Sequence, residues 1–501
     1  MPKRSEHLGD PSLKSDQSAE NLLLEGLREH QEGRLSQAAQ IYQSILDSTP
    51  DHFDALQLLG TIALQVKKHE QAADLLKRAL GVRQDFPQTH NNLGIALQEL
   101  GQLDQAIEHF STAVRLVPDY AEAFHNRAIA RQMNKGFEAA VKDFDVALSI
   151  EPSYANALTH RGLVHQDALH LDLALQSFDQ ALVVDPSNTE ATFAKALVLL
   201  LAGRLQEGWI AHESRWFSKN HRTPKRSFSK PMWSGEEPLD GKVIFVFSEQ
   251  GLGDTIQFCR YLPMFANLGV KIVFETTPTL HGLIRPLVEE LQLLKPGDPV
   301  PEFDFFCPLM SLPLAFKTTL DTIPRAPAYL KASDDNLAAW EKRLGPRERP
   351  RVGVAWSGNP THNKDRDRSI PMEIMFEVLS ILPFEFVSLQ KDVRPNDEAF
   401  LLKTPWLRRF DEHINDFEDT AALCCLVDVV ISVDTSVAHL AGALGCQTWI
   451  LLANSPDWRW LTNRSDSPWY PSVTLMRQEA EWDWGVVLKR VSQALLEHEF
   501  G

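Results

Sequence analysis

The chain repeats itself every 34 residues, and nothing else in the sequence restricts its fold as strongly. Ala38, Ala72, Ala106, Ala140 and Ala174 stand at that interval, and so do Ala79, Ala113, Ala147 and Ala181. A bulky residue follows four places after the first alanine of each unit: Tyr42, Leu76, Phe110, Phe144 and Phe178. A small residue opens the units at Gly26, Gly60, Gly94, Ala128 and Gly162, and Pro50, Pro118, Pro152 and Pro186 close four of them. A fixed period of this length marks a supersecondary unit that is stacked, because one unit cannot bury its own apolar face.

The period and pattern are those of the tetratricopeptide repeat, a pair of antiparallel helices. Small residues at the crossing let the two helices approach, the bulky residue fills the gap to the next unit, and proline stops the second helix. Five full repeats are expected over 19–188, after a polar tail at 1–18. A divergent sixth unit, 189–217, keeps Gly203 but carries Gly208, Trp209 and Trp216. It is read as the cap that docks the array, 19–217 in all, onto the next domain. Such an array predicts a groove for a peptide or an extended protein segment and says nothing about catalysis.

At 501 residues the chain needs more than one core. Its net charge of −17 argues against general nucleic-acid binding, which needs a basic surface. No run of eighteen apolar residues suggests a membrane span, and the polar N-terminus lacks the apolar stretch of a signal peptide. The five cysteines, Cys259, Cys307, Cys424, Cys425 and Cys446, form no CxxC pair. Reduced thiols and a cytoplasmic location are the expectation. The adjacent Cys424 and Cys425 are read as core packing.

Beyond the repeats the pattern changes. Residues 218–235 are polar and basic with two prolines and read as a linker, with the next domain starting at 240. Short β-branched and aromatic runs follow at 242–248, 271–275 and 304–307, then at 351–356, 385–389, 428–433 and 448–452. Such runs suit buried parallel strands. A proline- and charge-rich hinge at 344–350 divides them. The expected fold class is therefore α plus α/β: an all-α solenoid, then two Rossmann-like lobes at 240–343 and 344–501. Residues 482–499 read as a closing helix. Ligands of such sheets bind at the carboxyl ends of the strands.

Three turns lie at such ends. Residues 249–254 (EQGLGD) join a strand to a helix, and Gln250, Gly251 and Gly253 allow close backbone approach. Asp254 is either a helix cap or a general base facing the cleft. The second turn, 356–368 (WSGNPTHNKDRDR), sets Ser357 and Gly358 before the cations Lys364, Arg366 and Arg368. It is either a diphosphate site or a solvated loop. The letters Asp365-Arg366-Asp367 match a metal signature, as do Asp143-Phe144-Asp145 inside a repeat; no metal is inferred. In the third turn, 432–440 (SVDTSVAHL), Asp434, Thr435 and Ser436 stand where a strand becomes a helix, with His439 one turn on. Their hydroxyls and amides could hold phosphate or sugar, or merely cap the helix, with His439 in the core.

In this order, the turns resemble the glycosyltransferase family that contains the lipopolysaccharide heptosyltransferases (family 9-type). The most specific stretch runs Asp434-Thr435-Ser436-Val437-Ala438-His439-Leu440-Ala441-Gly442-Ala443-Leu444-Gly445, with Ser436 where the family usually has glycine. Gly253-Asp254-Thr255-Ile256 matches the family's G-D-x-I turn. The resemblance covers about 240–495. It implies a GT-B fold and an inverting, metal-independent transfer with no cofactor, the nucleotide-sugar being a substrate. It makes Asp254 catalytic and Gln250, Gly251 and Gly253 the acceptor-side turn. It places the donor against Ser357, Gly358, Lys364, Arg368, Asp434, Thr435, Ser436 and His439. Arg368, before Ser369-Ile370-Pro371, is the best match to the cation on the donor phosphate, with Lys364 as the alternative. Repeats ahead of such a region resemble O-GlcNAc transferase and, more closely, bacterial repeat-containing transferases that modify flagellin. The implied partners are a protein acceptor and a nucleotide-sugar, and homo-oligomerisation is left open. The competing readings are a scaffold with a degenerate transferase domain and an epimerase or hydrolase acting on the nucleotide-sugar.

Overall fold

The computed structural model describes residues 11–218, 223–362, 364–479 and 483–500, with 11–18 described by backbone alone. Two compact units result, Met1–Ala191 and Thr192–Gly501.

The first unit is a run of helical hairpins. Its helices are α1 (Pro11–Gln31), α2 (Leu35–Ser48), α3 (Phe53–Gln65), α4 (His69–Val82), α5 (Pro87–Glu99), α6 (Leu103–Leu116), α7 (Ala121–Met133), α8 (Phe137–Ile150), α9 (Ala155–Asp167) and α10 (Leu171–Val184). Helix α1 takes in 11–18, which the sequence reading left in the polar tail; residues 1–10 lie outside the described residues.

The repeated residues close each hairpin as expected. A Cβ on Gly26 would stand 2.5 Å from the Tyr42 ring, one on Gly94 2.6 Å from Phe110, and one on Gly162 2.5 Å from Phe178. In these three hairpins the helices cross at a distance that leaves no room for a side chain, while Ala128 holds the same place in the fourth. Tyr42, Leu76, Phe110, Phe144 and Phe178 are all fully buried. Backbone geometry also repeats where the sequence does not. Residues Gly33, Lys67, Gly101, Lys135 and Leu169, 34 apart, all have φ between 58° and 77°. Lysine and leucine accept a left-handed turn there because the hairpin around them is over-determined.

The second unit begins inside the divergent pair, α11 (Thr189–Leu201) and α12 (Leu205–His212). Trp209 on α12 is 1% exposed and donates its indole N–H to the Thr318 carbonyl at 3.1 Å. Its ring meets Phe258, Trp458 and Trp469 edge-on. Trp216 packs on the cluster of Phe245, Phe247 and Val273. Trp209 therefore belongs to the core of the second unit, and Trp216 packs against it.

Two parallel sheets follow. The first holds β1 (Val243–Phe247), β2 (Lys271–Glu275), β3 (Gln292–Leu294) and β4 (Phe305–Pro308) in the order β3-β2-β1-β4. The second holds β5 (Arg351–Ala355), β6 (Glu385–Ser388), β7 (Leu407–Arg408), β8 (Val429–Val433), β9 (Thr448–Leu452) and β10 (Val473–Arg477) in the order β10-β9-β8-β5-β6-β7. Every pair of neighbouring strands is parallel. The fold class is α plus α/β, as expected. Strands β3, β7 and β10 were not foreseen: each sits at a sheet edge, and none shows the uninterrupted apolar run of a central strand.

The described part of the expected linker, 223–235, is packed against the first sheet. Met232 bridges Phe306 in parallel, and the Trp233 amide donates to the Phe306 carbonyl at 2.8 Å, so this segment covers the β4 edge. Phe228 packs on Phe245, Phe247, Phe303 and Phe306. Residues 219–222 and Trp482 lie outside the described residues. The closing helix runs Trp484–Glu497.

Candidate functional site

Topology explains why the three turns meet. In the second sheet the chain starts at β5 and builds outward on both sides, so β5 and β8 are neighbours, with Ala355 beside Ser432. That adjacency is a topological switch point, where the segments leaving two strand ends diverge and open a crevice. The 356–368 and 434–436 turns leave from those two ends. In the first sheet the 249–254 turn leaves the end of β1, which lies between β2 and β4.

Helix α13 (Leu252–Phe258) begins in the first of these turns and rests on helix Ser436–Ala443. Gly253 is required for that approach: a Cβ there would stand 2.8 Å from the His439 ring. Gly251 is the N-cap, and its amide donates to Asp254 Oδ2 at 2.8 Å, so one carboxylate oxygen caps its own helix. The other oxygen accepts from Arg459 Nη2. Gln250 is exposed beside them. Glu249, at the start of the turn, faces inward to Arg215 at 2.9 Å and the Met310 amide at 3.2 Å. Complete burial pushes Glu249 up to about 7, against the pull of Arg215.

Arg459 was not foreseen. It lies in the short 3-10 helix Trp458–Trp460 beyond β9 and is 7% exposed. It donates to Asp254, to Asp457 Oδ1 at 2.8 Å and to Gln257 Oε1 at 2.5 Å. Its guanidinium lies 4.3 Å from the Trp458 ring centroid. One cation thus joins the first turn to a fourth strand end. The signal in the sequence is the SPDWRW segment, which follows the apolar β9 run as a fourth strand-end turn. Asp457 caps this helix turn through the Arg459 amide at 3.0 Å. Burial pushes Asp457 up, but Arg459 and its hydrogen bonds outweigh that and hold it below the usual carboxylate range.

In the second turn, Arg368 lies directly over Gly358, where a Cβ would stand 2.5 Å from its Nη2. Arg368 Nη1 donates to the Asp434 carbonyl at 3.0 Å, tying the second turn to the third. Lys364 Nζ reaches Ser455 Oγ at 3.2 Å. Ser357 is buried, its backbone pairs with Gln390, and its hydroxyl has no hydrogen-bond partner among the described residues. Arg366 is exposed. Asp365, of the metal-like letters, is buried and accepts from Arg394 at 2.7 Å and Ser369 at 2.9 Å. Asp143, in the other such triplet, is held by Arg127 and Arg131, each at 2.6 Å. Arg394 and Gln390, which brace this loop, were also not foreseen.

In the third turn, Thr435 is the N-cap of helix Ser436–Ala443, with Oγ1 3.3 Å from Ser432 Oγ. Asp434, Thr435 and Ser436 are half-buried. Burial first, then the charge of Asp457, raise Asp434 to about 6, against Trp460, Arg368 and Arg459. His439 is 6% exposed, Nδ1 is 2.9 Å from the Tyr470 hydroxyl, and its ring stacks on Trp460. Burial, then Arg459, lower it to about 3, so it is neutral at physiological pH. His439 is enclosed by Gly253, Trp460 and Tyr470, which is the core alternative of the sequence reading rather than an open donor contact.

Family profiles of the tetratricopeptide repeat match residues 29–91 and 160–215, and a TPR repeat profile matches 97–135. Among curated proteins the chain is similar to Protein FlbA of Caulobacter vibrioides (strain ATCC 19089 / CIP 103742 / CB 15), 29% identical over 331 residues. The match covers 60% of this chain and 54% of FlbA, so the chain spans about half the length of that relative. Among solved structures it is similar to YrrB, a TPR protein with an unusual peptide-binding site, at 19% identity and TM-score 0.33 over 36% of this chain and 98% of YrrB. It is also similar to pilF of Pseudomonas aeruginosa, at 18% identity and TM-score 0.35 over 40% of this chain and 90% of pilF. Among the described residues no helix is long and apolar enough to cross a membrane. The N-terminal region of this chain is a tetratricopeptide-repeat array, of the kind that supports protein interaction.

Proposed function

We propose that the second unit is a glycosyltransferase of GT-B type, moving a sugar from a nucleotide-sugar to a hydroxyl on a protein recruited by the repeat array. The observation that carries this reading is the meeting of turns from both sheets: Asp254 is joined to Arg459, and Arg368 to the Asp434 backbone. A carboxylate, fixed cations and a helix N-terminus on one crevice are what a displacement at an anomeric carbon needs.

In the proposed step Asp254 takes the proton of the acceptor hydroxyl. That oxygen attacks the anomeric carbon from the face opposite the nucleoside diphosphate. Arg368, Lys364 and the amides at Thr435 and Ser436 receive the charge that develops on the leaving diphosphate. Transfer would be followed with a panel of nucleotide-sugars and, because of the resemblance to flagellin-modifying transferases, flagellin as the first protein acceptor. Asp254→Asn should reduce transfer on the order of a hundred- to ten-thousandfold. Near-normal transfer by that variant would end the assignment.

One observation favours the scaffold reading. Both oxygens of Asp254 are already engaged, by the Gly251 amide and by Arg459. Stabilisation by a nucleotide-sugar without turnover on any acceptor would support a binding module that has lost its chemistry.

A further inference from the structure

The adjacent cysteines of the sequence part company in the fold. Cys424 and Cys425 end helix Phe417–Cys425, which packs on helix Ser436–Ala443. Cys424 faces inward and is fully buried, its thiol pushed up by burial. Cys425 faces outward and is exposed. Its sulfur lies 3.9 Å from that of Cys446, half-buried in the turn between helix Ser436–Ala443 and β9. Core packing therefore describes Cys424 and not Cys425.

We infer that Cys425 and Cys446 are a redox-modification site, an intramolecular dithiol that closes to a disulfide on exposure to a peroxide or a disulfide oxidant. Three observations carry this. The two sulfurs, 3.9 Å apart, are in van der Waals contact and not bonded, against a disulfide length of about 2.05 Å. Cys425 is open to an oxidant, whereas Cys259, Cys307 and Cys424 are buried. The partner for the second step is already in place, which is what separates a reversible site from a cysteine that over-oxidises. The hydrogen bond with Cys446 also holds Cys425 as the more acidic of the two, which favours its thiolate as attacking group.

The chemistry balances with hydrogen peroxide. The Cys425 thiolate attacks one peroxide oxygen, the O–O bond breaks, the sulfur becomes a sulfenic acid, and the departing hydroxide takes up the proton that the Cys425 thiol had released, leaving as water. The Cys446 sulfur then attacks the Cys425 sulfur and displaces hydroxide, which takes the Cys446 proton. Two thiols and one peroxide give one disulfide and two waters. With oxidised glutathione the same bond forms through a mixed disulfide on Cys425, releasing two molecules of glutathione.

The place of the bond gives it a consequence. The ring it closes, 425–446, contains β8, the 434–436 turn and helix Ser436–Ala443. Oxidation would tie the far end of that helix to the end of helix Phe417–Cys425, stiffening the segment that carries Asp434, Thr435 and Ser436. This inference does not depend on the transferase reading.

The test uses the full chain treated with hydrogen peroxide or oxidised glutathione, then unfolded without reductant. The expected result is a fall from five titratable thiols to three, a Cys425–Cys446 cross-linked peptide by mass spectrometry, and recovery of all five on adding dithiothreitol. Hydrogen exchange of amides in 434–443 should slow in the oxidised form. Cys446→Ser should trap a glutathione adduct on Cys425, and Cys425→Ser should keep its four thiols. Five thiols surviving treatment, a Cys425 that proceeds to sulfinic acid with Cys446 untouched, or a cross-link between chains in place of the internal one would each overturn the inference.

Discussion

Trp209 fixes α12 in the core of the second unit, although the repeat pattern runs on through that helix. It is enclosed by Phe258, Trp458 and Trp469 and bonded to Thr318. Trp209→Ala removes a fully buried aromatic, which costs about 3–5 kcal/mol in transfer and cavity terms. Losing the indole donor to a buried carbonyl adds about 1 kcal/mol. The second unit spans residues 192–501, so its unfolding entropy is on the order of 0.65 kcal/mol per degree and the midpoint should fall by about 6–9 °C. The assay follows from composition. All twelve tryptophans lie at or beyond residue 209, so indole emission reports the second unit alone, whereas α1–α10 dominate the far-ultraviolet ellipticity. A thermal scan of both signals should show the emission midpoint dropping while the main ellipticity change stays in place. A shift confined to ellipticity, or equal shifts in both, would refute the assignment of α12 to the second core.

In the array, Gly94→Ala should destabilise by about 1 kcal/mol or more, because its methyl meets Phe110 at 2.6 Å, despite a gain in helix propensity. Gly81→Ala, with nothing within 4 Å, should instead stabilise by about 0.5 kcal/mol; equal effects on the ellipticity midpoint would show that the crossing distance is not limiting. His125 is lowered from 6.5 to about 3 by burial, then by His160. Between those values the unfolded chain binds the proton that the folded chain does not. Its contribution is thus present above pH 6.5 and is lost as pH falls toward about 3, at about 1.4 kcal/mol per pH unit. His125→Phe should flatten that slope in urea melts of the array, and an unchanged slope would assign the acid sensitivity to other groups. Arg459→Met leaves Asp254 and Asp457 without their shared cation and should cost the second unit about 3–5 kcal/mol, measured by tryptophan emission; a neutral result would mean that the crevice does not rely on that pair.

Residues that act through their neighbours in sequence were legible, and residues that act through distant neighbours were not. The hairpins were readable because glycine and ring stand sixteen places apart on two consecutive helices, as with Gly94 and Phe110. The strand-end turns were readable because apolar runs give way to glycine and hydroxyl residues. Arg459 escaped because its meaning lies in Asp254 and Gln257, about two hundred residues earlier. Segment 223–235 escaped for a similar reason: its polar composition reads as a tether, yet Phe228 and Trp233 find partners on a sheet formed later in the chain.

Sequence alone determined the periodic half of this protein, the parallel character of the other half, and which turns bear glycine, hydroxyl and charge. Those properties follow from local spacing, where side-chain periodicity and backbone freedom act within a few residues. Tertiary structure alone decided three things. It split Cys424 from Cys425, because a helix end has an inside and an outside. It enclosed His439 instead of offering it, because Gly253 lets another helix come within contact distance. It gave α12 to the second unit, because an indole is most stable where three aromatic neighbours and a carbonyl receive it, and those residues are remote in the chain.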